Sequence, residues 1–418
     1  MRIKTLLNRR YRIKGFVYGD VVMASYGGRE CLDVKVRPRK NGRPVCSVCG
    51  RRGPIYDTPR APRRFEFVPL WGLSVFLLYA MRRVECADCG VKVERVPWAD
   101  GKQSLTTAYQ WFLAGWAKFL SWSVTAERFH TSWHCVAVSV RMAVGWGLAR
   151  RDLEGISAIG ASEMHWGRVG GFLTAVYQID AGKLRLLWLG RHRRVRTLLG
   201  FFRWFGAERS ARLRFVCSDM WAPYLKVIKK KAVNALNILD RFHLVARLNK
   251  AVDNTRRAEA NELKRRGAQP VLTNSRWCLL KRPENLTDRQ RPRLRDLLRL
   301  NLRTVRAYLL KEDFKFFWEY TSPYWAGRFL DTWCARAMRS RLDEIKKIAK
   351  SMRRHRELIL NWFRARKAFS SGVVEGLNNK AKVVTKQAYG FHTYEMLEMA
   401  LYHKIGDLPE PKIAHWFS

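Results

Sequence analysis

The stretch Ser370-Ser-Gly-Val-Val-Glu-Gly-Leu-Asn-Asn-Lys-Ala-Lys382 sets one acid, Glu375, at a glycine-flanked helix start, with Asn378, Asn379, Lys380 and Lys382 on the turns that follow. A carboxylate in that place can bind a hard cation such as magnesium, and the amides and lysines behind it can hold a negatively charged backbone. A lone acid among lysines also fits an ordinary amphipathic helix with a solvated basic face. A second carboxylate decides between the two readings. Asp219, in Phe215-Val-Cys-Ser-Asp-Met-Trp221, falls where a strand pattern ends. Metal-assisted phosphoryl transfer draws on carboxylates from distant segments in this way.

Outward from Asp219, residues 156–160, 169–179, 184–189, 213–217 and 235–239 read as strands, and 195–205 and 223–231 as helices. Three strands, a helix, a strand, a helix and a strand is the order of a ribonuclease-H-like α/β core, although other α/β domains share it. Asp240-Arg-Phe-His243 follows the last strand and opens a helix. Asp240 reads as its N-cap and His243 as a positioned side chain, with a metal or phosphate role as the other reading. From 242 to 366 nearly everything reads as basic helix, for example 244–266, 288–310 and 335–366. One face would pack and another would lie on DNA, or the charged faces would only keep a bundle soluble. The aromatics Trp318, Tyr320, Tyr324, Trp325 and Trp333 could stack on unpaired bases or fill that bundle's core.

The 418 residues are 47% hydrophobic, enough for more than one domain and for substantial cores. Lys and Arg total 80 against 35 Asp and Glu, a formal net charge of +45 spread along the whole length. A polyanion is the simplest partner for so even an excess. Nucleic acid comes first, because each neutralised phosphate releases counterions, and a membrane surface comes second. The first ten residues carry basic side chains without a continuous apolar run behind them, which argues against a secretory signal. Residues 68–81 form the longest apolar stretch, too short and interrupted to span a bilayer. A cytoplasmic, nucleoid-associated protein with no membrane partner is expected. Five of the nine cysteines, Cys31, Cys135, Cys217, Cys278 and Cys334, are scattered, mostly among apolar neighbours, as buried thiols are.

The other four form Cys46-Ser-Val-Cys-Gly50 and Cys86-Ala-Asp-Cys-Gly90. Each motif sets two thiols on a tight turn with a glycine after the second, and four thiolates so arranged can close a tetrahedral zinc site. The gap between the pairs is longer than in the usual zinc ribbon. A hairpin, 64–72 followed by 73–82, could occupy it and return the chain to the first turn. Two copies without a βαβ context speak against a redox pair. From 106 to 151 the pattern is helical and aromatic, and Thr125-Ala-Glu-Arg-Phe-His130 followed by Ser132-Trp-His-Cys-Val-Ala-Val-Ser-Val-Arg-Met142 predicts a helix, a short turn and a second, capped helix. This pair reads either as a helix-turn-helix with Ser132, His134 and Arg141 on the DNA, or as a helical hairpin that buries Trp133 and Val136.

Taken together, the cysteine turns, Ser218-Asp-Met-Trp-Ala-Pro-Tyr224, Leu239-Asp-Arg-Phe-His243, Gly372-Val-Val-Glu-Gly-Leu-Asn-Asn-Lys380 and Ala388-Tyr-Gly-Phe391 resemble the ISL-three group of bacterial insertion-sequence transposases over almost the whole chain. The resemblance implies a multidomain α+β protein. Its expected parts are a small zinc-binding β module (1–100), a helix-turn-helix region (101–151), a ribonuclease-H-like core (152–241), a large all-α insertion (242–366) and a core completion with the C-terminal tail (367–418). It further implies a DDE triad of acids with two magnesium or manganese ions, acting on double-stranded DNA at terminal inverted repeats and target sites, in a homo-oligomer on paired ends. Such enzymes activate water, then a DNA 3′-hydroxyl, for in-line attack on phosphodiesters.

Carried onto this chain, Asp219 is the second acid and Glu375 the third. Where the family has Asp-Glu at the end of the first core strand, the sequence is Ile159-Gly-Ala-Ser-Glu-Met-His165, so Ser162 stands in place of the first aspartate. The segment Gly167-Arg-Val-Gly-Gly171 departs from the pattern as well. A serine hydroxyl is a neutral, weak ligand. Glu163 is the obvious substitute, but strand alternation aims it at the opposite face unless a bulge re-aims it, and that reading favours impaired catalysis. The leading expectation is a DNA transposase. The alternatives are a catalytically inactive DNA-binding protein, acting as a repressor or domesticated transposase, and a nuclease of the same fold.

Overall fold

Residues 3–166, 171–367, 372–387, 391 and 393–415 are described by the computed structural model. Ser370 and Ser371, residues 167–170 of the Gly167–Gly171 segment and residues 388–390 of the Ala388–Phe391 motif lie outside them. The chain divides into two compact units, Met1–Asp152 with Val383–Ser418, and Leu153–Lys382.

In the first unit, α1 (Ile3–Arg10) leads into β1 (Phe16–Tyr26) and β2 (Arg29–Pro38). After β3 (Ile55–Asp57) come β4 (Arg63–Leu70) and β5 (Leu73–Tyr79), the hairpin expected from the sequence. It turns at Trp71 and Gly72, whose φ angles of 52° and 83° give the twist that a two-residue hairpin loop requires. The four longer strands form one sheet in the order β1-β2-β5-β4. Its inner face buries Tyr18, Val34, Phe65 and Leu77 around Trp98, whose ring lies edge-on to Phe16, Phe65 and Tyr79 at 4.8, 5.8 and 5.4 Å.

β6 (Arg83–Cys86) and β7 (Gly90–Val93) join β3 in a second, three-stranded sheet. Three helices follow, α2 (Thr107–Phe119), α3 (Trp122–Arg128) and α4 (Trp133–Arg150). Each begins at a hydroxyl cap: Thr106, Ser121 and Ser132 accept from the backbone N–H of Tyr109, Val124 and Cys135.

The second unit is built on β8 (Ala158–His165), β9 (Phe172–Asp180), β10 (Lys183–Arg191), β11 (Phe215–Ser218) and β12 (Leu236–Leu239), in the order β10-β9-β8-β11-β12. β8, β9 and β10 pair antiparallel in sequence, while β11 lies parallel to both β8 and β12. The C-terminal ends of β8, β10, β11 and β12 therefore share one edge. Between the strands run α5 (Val195–Phe205), α6 (Ala207–Arg212) and α7 (Ala222–Lys231). α5 and α7 seal one face of the sheet with Phe201, Phe202, Phe205, Tyr224 and Ile228 against Ile159, Ala161 and Val176.

The basic region folds into α8 (Arg241–Arg265), α9 (Arg276–Leu280), α10 (Gln290–Leu298), α11 (Arg303–Asp313), α12 (Pro323–Arg339), α13 (Asp343–Arg354) and α14 (Arg356–Arg364). Two of the helices expected from periodicity are interrupted. The 288–310 segment breaks between Leu298 and Arg303, where the Arg303 and Thr304 N–H groups cap onto the buried Glu259 carboxylate. The 335–366 segment breaks at Arg341, held at φ 57°, and again at His355. α14 lies on β12, where Asn361 donates to the Asn237 carbonyl at 2.7 Å. α15 (Gly372–Gln387) carries Glu375 in its first turn, and α16 (Tyr394–Ile405) packs on α4 within the first unit. No helix among the described residues is long and apolar enough to cross a membrane.

α15 meets the sheet at Gly160. A Cβ there would stand 2.5 Å from Val374 Cγ2, so the absence of a side chain on β8 sets how close the helix comes. Gly160→Ala is expected to destabilise the fold by about 1–3 kcal/mol through overpacking. Val374→Ala should restore much of that loss in the double variant, as read by chemical denaturation.

Candidate active site

The four paired cysteines converge. The ligand atoms of Cys46, Cys49, Cys86 and Cys89 all lie within 4.8 Å of one another, with Cys49 Sγ and Cys86 Sγ at 3.4 Å. A tetrahedral site with metal–sulfur bonds near 2.3 Å has edges of about 3.8 Å, so four thiolates at these positions can hold one metal ion. The second pair sits on the β6–β7 hairpin, and the first turn, closed on itself by a bridge from Val45 to Arg52, is laid beside it by a bridge from Cys46 to Glu94. Gly50 and Gly90, each following a second cysteine, take φ angles of 76° and 69°, which glycine accepts without steric cost. Backbone N–H groups of Cys49 and Val48 bring the Cys46 thiol down to about 7, whereas burial and the neighbouring thiols push Cys89 up to about 12, so the set as a whole holds thiolates only with a cation among them. Next to the cluster, the buried Arg82 guanidinium pairs with the buried Glu94 carboxylate at 2.7 Å and donates to the Gly42 carbonyl at 2.8 Å. Arg82 and Glu94 directly precede β6 and follow β7, so the pair ties the hairpin at its base.

The second site is a cavity of about 430 Å³ at the shared strand edge. Glu163 from β8, Asp219 after β11, Asp240 after β12, and Glu375 and Lys382 from α15 all contribute to its wall. The separate sequence motifs around these acids thus meet in one place. β8 keeps an unbroken register on β9 from Ile159 to His165, so alternation is maintained without a bulge. Gly160 and Ser162 point towards α15, where the Asn378 amide donates to Ser162 Oγ at 2.6 Å. Ile159 and Ala161 face the α5–α7 side, and Glu163 follows them.

Glu163 nevertheless lines the cavity, because it lies beyond Gly160, the last residue of β8 paired with β11, where the sheet opens. Arg193, in the loop between β10 and α5, contacts the Glu163 carboxylate through Nε and reaches Asp219 Oδ2 through Nη2 at 3.3 Å. The loop is fixed to the sheet: His192, at φ 70°, donates from its N–H to the Phe172 carbonyl and accepts from Thr174 Oγ1. The Arg193 guanidinium lies over the Trp221 ring at 4.4 Å, and Asp219 Oδ1 accepts from the Trp221 N–H at 3.0 Å. Burial, and then the charge of Asp219, push the Glu163 carboxyl up to about 7 against the pull of Arg193. Two carboxylates that share one guanidinium make a pair of hard-oxygen donors, of the kind that can take a divalent cation. Glu375 is exposed on the same wall, and among the described residues only the cysteines form a set of three or more ligands within 4.8 Å.

The remaining candidate residues divide by exposure. Asn378 spends its amide internally, donating to Ser162 and accepting from the Tyr177 hydroxyl at 2.9 Å, whereas Asn379, Lys380 and Lys382 are exposed. Asp240 caps α8 by accepting from the Phe242 N–H at 2.8 Å, with His243 Nε2 3.7 Å from its second oxygen. His134 and Arg141 are exposed on α4, Ser132 is its cap, Val136 is buried, and Trp133 is partly exposed against Trp122. Of the aromatic group, Trp333 is fully buried and Trp318 packs with Phe317 and Trp362, while Tyr324 and Trp325 face solvent. Sequence reasoning passed over Arg193. It sits in a run of basic residues, Arg191-His-Arg-Arg194, and only the strand order brings it to the acids.

Residues 159–401 match the ISL3-type DDE transposase family, described as "Transposase". The chain belongs to this family of insertion-sequence transposases. It is 28% identical over 355 residues to the transposase for insertion sequence element IS1001 of Bordetella parapertussis, covering 84% of this chain and 86% of that protein. It is also 28% identical over 388 residues to the transposase for insertion sequence element IS1557 of Mycobacterium tuberculosis, covering 87% and 86%.

The convergence of thiols predicts one tightly held metal ion per chain. Cys46→Ser is expected to lose that ion in elemental analysis of purified protein and to lower the melting temperature. A metal-free natural chain with the same stability as the variant is the contrary result.

Proposed function

We propose that this protein moves an insertion sequence by metal-dependent DNA cleavage and strand transfer, with Asp219, Glu375 and Glu163 as its acids. The observation that carries the reading is the Glu163–Asp219 pair sharing Arg193 at the strand edge, in the cavity that Glu375 also lines. Two relatives named as insertion-sequence transposases support it, as does the formal charge of +45, which suits double-stranded DNA as substrate.

The sheet order, with three antiparallel strands followed by two parallel ones, supports a ribonuclease-H-like core (152–241) completed from 367 onwards. The helices of 242–366 are then its insertion. Residues 1–100 form the zinc module, the four thiolates being the donor set that zinc prefers. α3 and α4, within 101–151, act as the helix-turn-helix, with His134 and Arg141 on terminal inverted repeats. Asn379, Lys380 and Lys382 hold the phosphate backbone near the cavity. The protein works in the cytoplasm on nucleoid DNA, as a homo-oligomer on paired ends.

In the first step, water oxygen bonds to a phosphorus at the element end while the bond to the 3′ oxygen breaks, and that oxygen leaves as a 3′-hydroxyl. In the second, this hydroxyl attacks a target phosphodiester and displaces the target's own 3′ oxygen. Magnesium or manganese, when bound, supplies Lewis-acid stabilisation of the phosphoryl oxygens. Glu163 and Asp219 hold the charge that places the ion, and Lys382 orients the scissile strand.

Ser162 favours a second reading. Its neutral hydroxyl is engaged with Asn378, so the usual first acid is missing and the chain would bind inverted repeats without cutting them. A cleavage assay on element-end DNA with manganese separates the two. The natural chain is expected to nick its ends, and Asp219→Ala and Glu163→Gln each to reduce the rate on the order of 10²-fold or more. Cleavage that appears only after Ser162→Asp would remove Glu163 from the active set and establish the second reading.

A further inference from the structure

The role of Arg193 goes beyond the acids it touches. Its side chain is 31% exposed, against 16% for Glu163 and 18% for Asp219, so the cation covers the solvent side of a largely buried carboxylate pair. The guanidinium is not held there by the acids alone. It lies over Trp221, and the preceding residue is fastened to β9 at both its N–H and its carbonyl. A built-in cation in this position satisfies the charge that a divalent ion would satisfy, and two cations cannot neutralise the same carboxylates at once without mutual repulsion.

We propose that Arg193 is the resident counter-cation of the Glu163–Asp219 pair, and that it gives up these carboxylates when a divalent ion binds. This rests on the reading of Glu163 and Asp219 as metal-binding acids. Arg193 is then a positioning residue. It keeps the two side chains together and directed at the cavity in the free protein, and it sets how much divalent ion is needed to load the site. Trp221 gives the displaced guanidinium an aromatic face to remain on, so it stays near the cavity, where incoming DNA brings phosphate charge that can take it up. Metal loading and DNA binding are thereby coupled: phosphate draws Arg193 off the carboxylates and raises their affinity for the ion.

Manganese binding to the full-length protein, followed by electron paramagnetic resonance of the free ion, tests this without any turnover. Arg193→Gln is expected to tighten manganese binding about tenfold, because it leaves the carboxylate pair uncompensated. Arg193→Lys keeps the charge but loses the two-pronged contact, and should tighten binding less. Adding Glu163→Gln to Arg193→Gln should abolish the gain. A short duplex of element-end DNA should tighten manganese binding by the natural chain and leave the Arg193→Gln protein nearly unchanged. Unchanged or weaker binding by a folded Arg193→Gln protein overturns the proposal. Should the glutamine variant not fold, unchanged or weaker binding by Arg193→Lys overturns it equally. If the natural chain binds manganese and Asp219→Ala loses it while Arg193→Gln changes nothing, this inference fails and the metal-site reading stands. If Asp219→Ala binds manganese as the natural chain does, both fail.

Discussion

The parallel pairing of β11 on β8 is the constraint on which the second unit depends. Phe215, Val216 and Cys217 lie opposite Ala158, Ile159 and Gly160, so the chain leaves β11 at Asp219 level with the Ser162–Glu163 step on β8. A shift of one residue would exchange which side of the sheet each of these side chains meets. The apolar residues forbid it: Ile159 and Val216 are fully buried in the core that α5 and α7 complete, and Gly160 must remain under Val374. Packing on both faces thus fixes the height at which the acids emerge. Charge decides the rest. Glu163, still paired within β8, and Asp219, just past the end of β11, come out as neighbours, and Arg193 is delivered to them by a third strand, β10, that ends at the same edge.

The cysteine module shows the same division between packing and polar closure. Its own core is small, with Cys46, Val84 and Cys86 buried, which is too little apolar surface to hold a three-stranded sheet alone. Two polar devices compensate. The sulfur cluster closes one end, and the Arg82–Glu94 pair fastens the hairpin beside Tyr79 of the larger sheet, whose hydroxyl donates to the same carboxylate. A buried ion pair adds little net stability, but it fixes geometry because either partner left alone is costly.

What the sequence revealed follows from how local each signal is. The Cys-x-x-Cys turns, the β4–β5 hairpin and the hydroxyl at the start of α4 are written in adjacent residues, and all three are present. The strands around Asp219 and the helices α5 and α7 were legible from their apolar patterns, whereas α6, a polar six-residue helix, was not, and β8 runs on past residue 160 to His165. β1 was not, because Gly19 and Asp20 interrupt its alternation at a shift in register between Tyr18 and Val21. The breaks within the basic helices depend on a distant carboxylate in one case and a positive φ in another, and helical periodicity carries no mark of either. Strand alternation correctly placed Ser162 and Glu163 on opposite faces. It could not show that the cavity opens at the end of the sheet, where both faces reach it. Arg193 was illegible for the same reason: it is one arginine among 80 basic residues until the strand order is known.

The proposed chemistry stands or falls on whether Glu163 and Asp219 together hold a divalent ion in the cavity that Glu375 lines. Iron(II)-directed cleavage of the polypeptide reads this out at the site itself, since hydroxyl radicals formed at a bound ion cut the nearest backbone. With peroxide and ascorbate, the full-length protein is predicted to yield fragments ending near residues 163, 219 and 375, all suppressed by excess magnesium. Cleavage confined to other segments, or a pattern unaltered in Asp219→Ala, would show that the two acids do not bind the ion.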